Sequence, residues 1–460
     1  MTESLLPATA RRLLARTAQA QAEGRVPSVV AGVVRDGALA WWAGRGDVGG
    51  AEPDADVQYR LGSITKSVTA VLVMRLRDEG RLSLDDPLDS YVAGTPFADR
   101  TVGQLLSHVA GVTAESPGEW WERTPGVPWD DLAPQLAGEH VVHSAGRRFH
   151  YSNLGYGVLG ELVARLRGVS WWDAARDEVL EPLGLTRTST RPAGRAAAGF
   201  AVHPWADMVL AEPEHDAASM APAGQLWATL ADLGRWAAFL LGDGRPVLAD
   251  GTLEEMLIPA GIDASSPEWA AYGLGLQVVR LDGRTLVGHG GSMPGFLAGV
   301  FADRSAGLAA VALANATSGL DPALLPALLE IVRTAEPPVA PAWRPAERLD
   351  ADALELVGPW YWGTSAVGMR LDAAGVLHLA PLAAGRRASR FVRRGDGWVG
   401  LDGYYAGEPL RVRRGSDGRA AAFDVATLTF TRTPYADDVP VPGGVDAAGW
   451  QPAPTQRPPE

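Results

Sequence analysis

A serine and a lysine three residues apart, Ser63 and Lys66 in "LGSITKSVTAVLV" (61–73), are the first residues in this chain whose types and spacing suggest chemistry. Lys66 is the only lysine in 460 residues, against forty arginines (41 Lys+Arg less one). On a helix, residues three apart share a face. A serine hydroxyl is a weak nucleophile until something takes its proton. Lysine can take it when burial lowers its pKa, whereas arginine stays protonated. A chain that writes every other cation as arginine is expected to keep one lysine where a proton must be given up. The plainer alternative, a helix cap followed by a solvated charge, fits the surroundings poorly. Val68, Ala70, Val71, Leu72, Val73, Met74 and Leu76 make the segment apolar almost all round, as in a buried helix. "LGS" sets Ser63 in the first helical turn, where backbone N–H groups favour developing negative charge.

Two further stretches carry polar groups suited to the same reaction. "FHYSNLGYGVLGEL" (149–162) presents Tyr151-Ser152-Asn153 ahead of a helical run. A Tyr151 phenolate beside a lysine ammonium would serve as general base and return the proton to a leaving group. Asn153 would hold Lys66 or a substrate amide. Taken alone, a core tyrosine and a capping asparagine explain this stretch as well. "VGHGGSMPGF" (287–296) follows a predicted strand and puts His289 beside Gly290 and Gly291. Bare backbone there lets a substrate approach the strand, and the N–H of Ser292 would meet an acyl oxygen. Alone, it also reads as a hairpin end.

The elements that must position these residues follow from patterning. Residues 1–24 read as an amphipathic helix. Residues 28–44 read as two strands around Asp36-Gly37, and 272–291 as two around Asp282-Gly283. Two more are expected in 299–315, and a helix over 230–241. Strands at both ends of residues 1–335 with helices between predict an α+β domain, an antiparallel sheet with an inserted all-α lobe. A Pro/Ala-rich linker spans 336–349. Residues 350–436 carry short alternating runs punctuated by Asp-Gly pairs, the pattern of a small antiparallel β-barrel or sandwich. The Pro/Gly-rich tail 437–460 is expected to be disordered.

Composition narrows the function classes. The net charge of −13 argues against nucleic-acid or membrane partners, and the absence of cysteine removes disulfides and thiol chemistry. No secretory signal or membrane span is legible, so a cytoplasmic location is expected.

Together and in this order, the three stretches resemble those of the serine β-lactamase and penicillin-binding protein superfamily, in its class C β-lactamase-like branch. Similar landmarks run through residues 10–335, among them "GRLSLDDPLDSYV" (80–92), "TVGQLLSHVAGV" (101–112), "LEPLGLTRT" (180–188) and "GQLWATLADLGRW" (224–236). The resemblance implies a mixed sheet flanked by helices with an all-α lobe. Ser63 would be the acylated nucleophile, with Lys66 and Tyr151 as general base and acid. Asn153 would orient Lys66 and substrate, and His289 would open the third motif. The backbone N–H groups of Ser63 and Ser292 would form an oxyanion hole. This chemistry needs no metal or organic cofactor.

The family's lactamases carry Lys-Thr-Gly where this chain has His289-Gly290-Gly291, so strong β-lactamase activity is not expected. Similar variants occur in esterases, D-amino-acid peptidases and peptide cyclases. The C-terminal region resembles the lipocalin-like barrel appended to some of these relatives, including penicillin-binding-protein-type thioesterases that cyclise nonribosomal peptides. The implied partner is a small-molecule or peptide acyl substrate, or a peptidyl thioester on a carrier protein. Hydrolysis and acyl transfer, including head-to-tail cyclisation, share the same residues. A weak β-lactamase and a non-catalytic binding module complete the alternatives. Trp120, Trp121 and Trp129 would line an apolar acyl pocket or pack a loop, and Arg432 would bind a peptide carboxylate or be a strand charge. His108 reads as a structural histidine.

Overall fold

The computed structural model describes residues 5–263, 270–340, 342–348, 350–383, 387–435 and 439–452. The chain divides into two units at Pro338/Val339, inside the expected linker. In the first unit, helix α1 (Pro7–Glu23) leads into the hairpin β1 (Ser28–Arg35) and β2 (Ala38–Gly46). The turn residues Asp36 and Gly37 both have positive φ, 53° and 75°, which turns a two-residue hairpin with the twist of its strands. An inserted lobe follows. It contains α2 (Thr65–Asp78) and α3 (Asn153–Arg167), and α4 (Leu230–Leu241) brings the chain back onto the sheet.

The chain then returns through β3 (Gly261–Asp263), β4 (Ala270–Tyr272), β5 (Gln277–Leu281), β6 (Arg284–Met293), β7 (Phe296–Asp303) and β8 (Leu308–Ala314), and ends in α5 (Leu324–Ala335). These strands complete one eight-stranded sheet in the order β2-β1-β8-β7-β6-β5-β4-β3. The N-terminal hairpin joins it by antiparallel pairing of β1 with β8, Val29 opposite Ala314 through Arg35 opposite Leu308.

The central strands β1 and β8 read as apolar runs because both faces are covered. Val30, Val34, Val311 and Leu313 share a core with Leu230 and Leu233 of α4. Ala31, Val33, Ala310 and Ala312 meet Leu13 and Ala20 of α1 and Leu324, Leu328 and Val332 of α5 on the other face. Helix α2 lies inside the domain, with every residue from Thr65 to Met74 buried.

The second unit is a closed barrel of eight antiparallel strands between Gly358 and Thr431, each paired with its neighbours in sequence. Closure comes from the first strand meeting the last at Tyr361 and Thr431. Its core holds Trp360, Phe391, Trp398, Phe423 and Phe430, with Phe423 and Phe430 stacked at 4.7 Å. One turn differs in detail from the pattern: Gly395-Asp396 makes the hairpin, with Gly395 at φ 58°, and Gly397 begins the next strand. The expected tail also begins in an ordered way. Val439 packs on Ala422, and Arg413 donates to the Pro440 carbonyl at 3.1 Å. Residues 453–460 lie outside the described residues.

Candidate active site

Strand Gln58–Arg60 runs into a short 3₁₀ turn, Gly62–Ile64, and then directly into α2. From Val57 to Met74, Ser63 is the one residue that is not buried. The turn therefore lifts a single hydroxyl out of an otherwise dry segment. Gly62 adopts φ 55°, a left-handed conformation that favours glycine. It also packs against β6, since a Cβ on Gly62 would stand 2.5 Å from the Ser292 nitrogen. Gly291 answers from the other side, where a Cβ would fall 1.8 Å from the Leu61 carbonyl oxygen. Two glycines thus bring the backbones of Ser63 and Ser292 together.

Lys66 is fully buried, one helical turn below Ser63. Its Nζ donates to Ser63 Oγ at 3.0 Å and to the Ala223 carbonyl at 2.8 Å. Two residues further on, the Gln225 side chain accepts from Arg60 and Ala217 and donates to the Thr190 and His215 carbonyls, which anchors this segment. Burial lowers the Lys66 pKa to about 7, against the opposing charges of Glu115 and Glu122. A large share of Lys66 is therefore neutral near pH 7 and free to accept a proton. The ammonium it becomes sits 4.9 Å from the ring centroid of Tyr151 and 5.7 Å from that of Tyr156.

Tyr151 precedes α3, whose N-cap Ser152 accepts from Gly155 and donates to the Thr113 carbonyl. Burial pushes the Tyr151 pKa up, only partly offset by its hydrogen bond with Ser63. The resting site thus favours a neutral tyrosine beside a partly neutral lysine, and not the phenolate–ammonium pair expected from sequence. His108 fixes this corner. Its Nδ1 accepts from the Ser152 N–H at 3.0 Å, and its ring lies 4.2 Å from that of Tyr151.

Three sequence expectations are corrected in detail. Asn153 makes no hydrogen bond to Lys66 among the described residues. Its Nδ2 donates to both carboxylate oxygens of Glu115, at 2.9 and 3.0 Å, and its Oδ1 is left without a partner. His289 reaches the site as part of β6, yet its ring points into the core. Nε2 faces the Tyr272 hydroxyl at 2.8 Å and Nδ1 faces the Gly290 carbonyl. Burial takes its pKa to about 3, so it stays neutral. Trp120 and Trp121 do not line the cavity at Ser63. Trp120 projects into solvent with Nε1 on Glu122, and Trp121 is buried with Nε1 on Glu115 at 2.7 Å. The buried Trp121 ring packs the loop down, and neither indole walls the cavity at Ser63. Trp129 lines a separate cavity with Trp171 and Trp172.

Arg432 has partners in its own unit. Its guanidinium stacks 3.6 Å over Trp360 and donates to the carbonyls of Val357, Pro359 and Glu355. Gly290 and Gly291 both line the cavity beside Ser63 and Tyr151.

Sequence reasoning missed Glu115, Gln225 and Tyr272. Glu115 ties Asn153 to Trp121 across the loop, but nothing in "VTAESPGEWW" sets one glutamate apart from its neighbours. No group of three or more metal-type ligands occurs among the described residues. No helix among them is long and apolar enough to cross a membrane.

Comparison with known proteins places these motifs in context. The beta-lactamase family model matches residues 13–333, and a domain of unknown function, DUF7586, matches residues 349–432. Penicillin-binding protein 4 of Amycolatopsis lactamdurans is 28% identical over 335 residues, covering 66% of this chain and 84% of that protein. The chain spans only 46% to 58% of the curated relatives that follow it. The structure of SurE is similar over 92% of this chain and 99% of its own, at 25% identity and a TM-score of 0.57. A D-stereospecific amidohydrolase from Streptomyces sp. is similar over 71% of this chain and 99% of its own, at 26% identity and a TM-score of 0.59.

Proposed function

The chain belongs to the beta-lactamase family, and from that premise we propose that it is a serine hydrolase that cleaves amides or esters of D-amino acids through an acyl-enzyme on Ser63. The observation that carries this reading is the 3.0 Å hydrogen bond between Ser63 Oγ and a fully buried Lys66. The stereochemistry rests on similarity, to the D-stereospecific amidohydrolase and to SurE, which has also been solved with D-Leu.

The reaction follows from the proton positions. Neutral Lys66 takes the Ser63 proton as Oγ bonds to the substrate carbonyl carbon. The resulting oxyanion is met by the backbone N–H groups of Ser63 and Ser292, with Gly62 and Gly291 permitting their approach. When the tetrahedral intermediate collapses, the bond to the leaving amine or alcohol breaks. That group takes a proton from the Tyr151 hydroxyl, which recovers one from the Lys66 ammonium. Water then gives a proton to Lys66 as its oxygen adds to the acyl carbon, and on collapse the bond to Ser63 Oγ breaks, Oγ recovers that proton from Lys66, and a carboxylic acid is released. Asn153 and Glu115 hold the loop beside Lys66, and the carboxylate supports its transient charge. If an amine replaced water in the last step, the same acyl-enzyme would yield a new amide or a cyclic peptide.

Intact-protein mass spectrometry after treatment with a small fluorophosphonate tests the nucleophile. One adduct is expected, mapped to Ser63 and absent from Ser63→Ala. No adduct on folded protein would remove the acyl-enzyme reading. D- and L-leucine p-nitroanilide and a linear peptidyl thioester ending in a D-residue complete the test. At least tenfold preference for the D-isomer and a linear acid product are expected. Equal rates would discard the stereochemical part, and a mostly cyclic product would make the protein an acyltransferase.

A further inference from the structure

Beyond Ser63 and Tyr151 the active-site cleft continues into a cavity of about 380 Å³. Backbone at Gly290 and Gly291 forms part of its lining, and Leu297, Phe301, Leu320 and Leu325 supply apolar surface. A Cβ on Gly290 would meet nothing closer than the Gln277 Oε1 at 4.0 Å, so the lining stands open at that position. Its one charged lining side chain among the described residues is Asp321, already engaged by Arg16. His289 also borders the cavity, but both ring nitrogens are taken by Tyr272 and Gly290. A carboxylate placed here would find no free cation and one aspartate. An apolar group would exchange water for leucine and phenylalanine surface.

Tyr151 decides which half of the substrate this is. It lines the same cavity, and in the acyl-enzyme reading it returns the proton to the departing atom. We propose that this cavity receives the leaving group, and that the group is uncharged and apolar, of benzyl or branched-alkyl size. The substrate is then an amide or ester whose leaving side lacks a carboxylate, and not a peptide ending in a free carboxylate at the scissile bond. The inference rests on the acyl-enzyme reading and narrows it to one substrate class.

Two small amides with the same acetyl group separate the possibilities. N-benzylacetamide puts an apolar ring on the leaving side, and N-acetylglycine puts a carboxylate there. Each is tested for its ability to slow fluorophosphonate labelling of Ser63, which needs binding and no turnover. N-benzylacetamide is expected to half-protect at a concentration at least tenfold lower. Leu320→Arg, a partly exposed position, should narrow that ratio several-fold by giving the carboxylate a partner. Equal protection by the two amides, or better protection by N-acetylglycine in the wild-type protein, would overturn the proposal and leave the serine reading intact. Failure of Ser63 to label at all would remove the serine reading, and the leaving-group assignment with it.

Discussion

The helix-borne and strand-borne halves of the site use their residues in opposite ways. On the 3₁₀ turn and the α2 that follows it, Ser63 and Lys66 contribute side chains, and the backbone serves to hold them. On β6, His289, Gly290, Gly291 and Ser292 contribute backbone and empty space, while the histidine ring turns away toward Tyr272. Both basic side chains, Lys66 and His289, are buried and driven toward neutrality by desolvation. Only Lys66 touches Ser63. A buried basic residue near a reactive serine is therefore a candidate base by geometry first, and by pKa second.

The largest expected effect breaks the helix half. Lys66→Met should slow Ser63 acylation about 10⁴-fold, toward the upper end of what a general base contributes. It should also unfold at a temperature no lower than wild type, since it removes a desolvated amine. The pH dependence gives the sign. Unfolded Lys66 titrates at its ordinary 10.5 and folded Lys66 at about 7. Between those values the unfolded chain holds the extra proton, so wild-type stability rises with pH. The thermal advantage of Lys66→Met is then widest below pH 7 and narrows on the way to 10.5. In wild type, acylation should rise with a midpoint of about 7. A midpoint unchanged in Lys66→Met would assign the base elsewhere.

On the strand half, neighbouring glycines should behave unequally. Gly291→Ala forces a Cβ to within 1.8 Å of the Leu61 carbonyl, so the strand must draw back from the Ser63 turn. A displacement of that size is expected to cost about 10²-fold in kcat/KM. Gly290→Ala meets open space and should stay within about threefold. Similar losses at both positions would mean that the strand's approach to Leu61 is not what matters.

The smallest functional effect should follow Tyr272→Phe. It strips His289 Nε2 of its hydroxyl partner and should cost about 1–3 kcal/mol in denaturant unfolding. The acylation midpoint should not move, because His289 stays neutral down to about pH 3. A shifted midpoint would bring His289 into the proton transfers after all.

Much of this arrangement was legible because its parts are close in sequence. Ser63 and Lys66 are three residues apart where a 3₁₀ turn runs directly into α2, so their meeting needs only helical periodicity. The hairpins at Asp36-Gly37 and Asp282-Gly283 announce themselves through residues that accept positive φ. The barrel's alternating runs predict its strands, though not that they close, since closure depends on the single pairing of Tyr361 with Thr431. Glu115 and Gln225 were illegible for a different reason. Each acts through contacts with segments tens of residues away in the chain, and neither carries a local pattern.

The amino-acid sequence alone determined that the one lysine would follow a serine by three residues at the start of an apolar helix, within reach of its hydroxyl. Tertiary structure decided which side chains face that pair. Burial on all sides made Lys66 a base near neutrality and kept Tyr151 protonated. Packing across β6 turned His289 inward and left glycine backbone beside Ser63. Periodicity along a chain fixes which residues share a face, while desolvation and ring orientation depend on what the rest of the chain packs against that face.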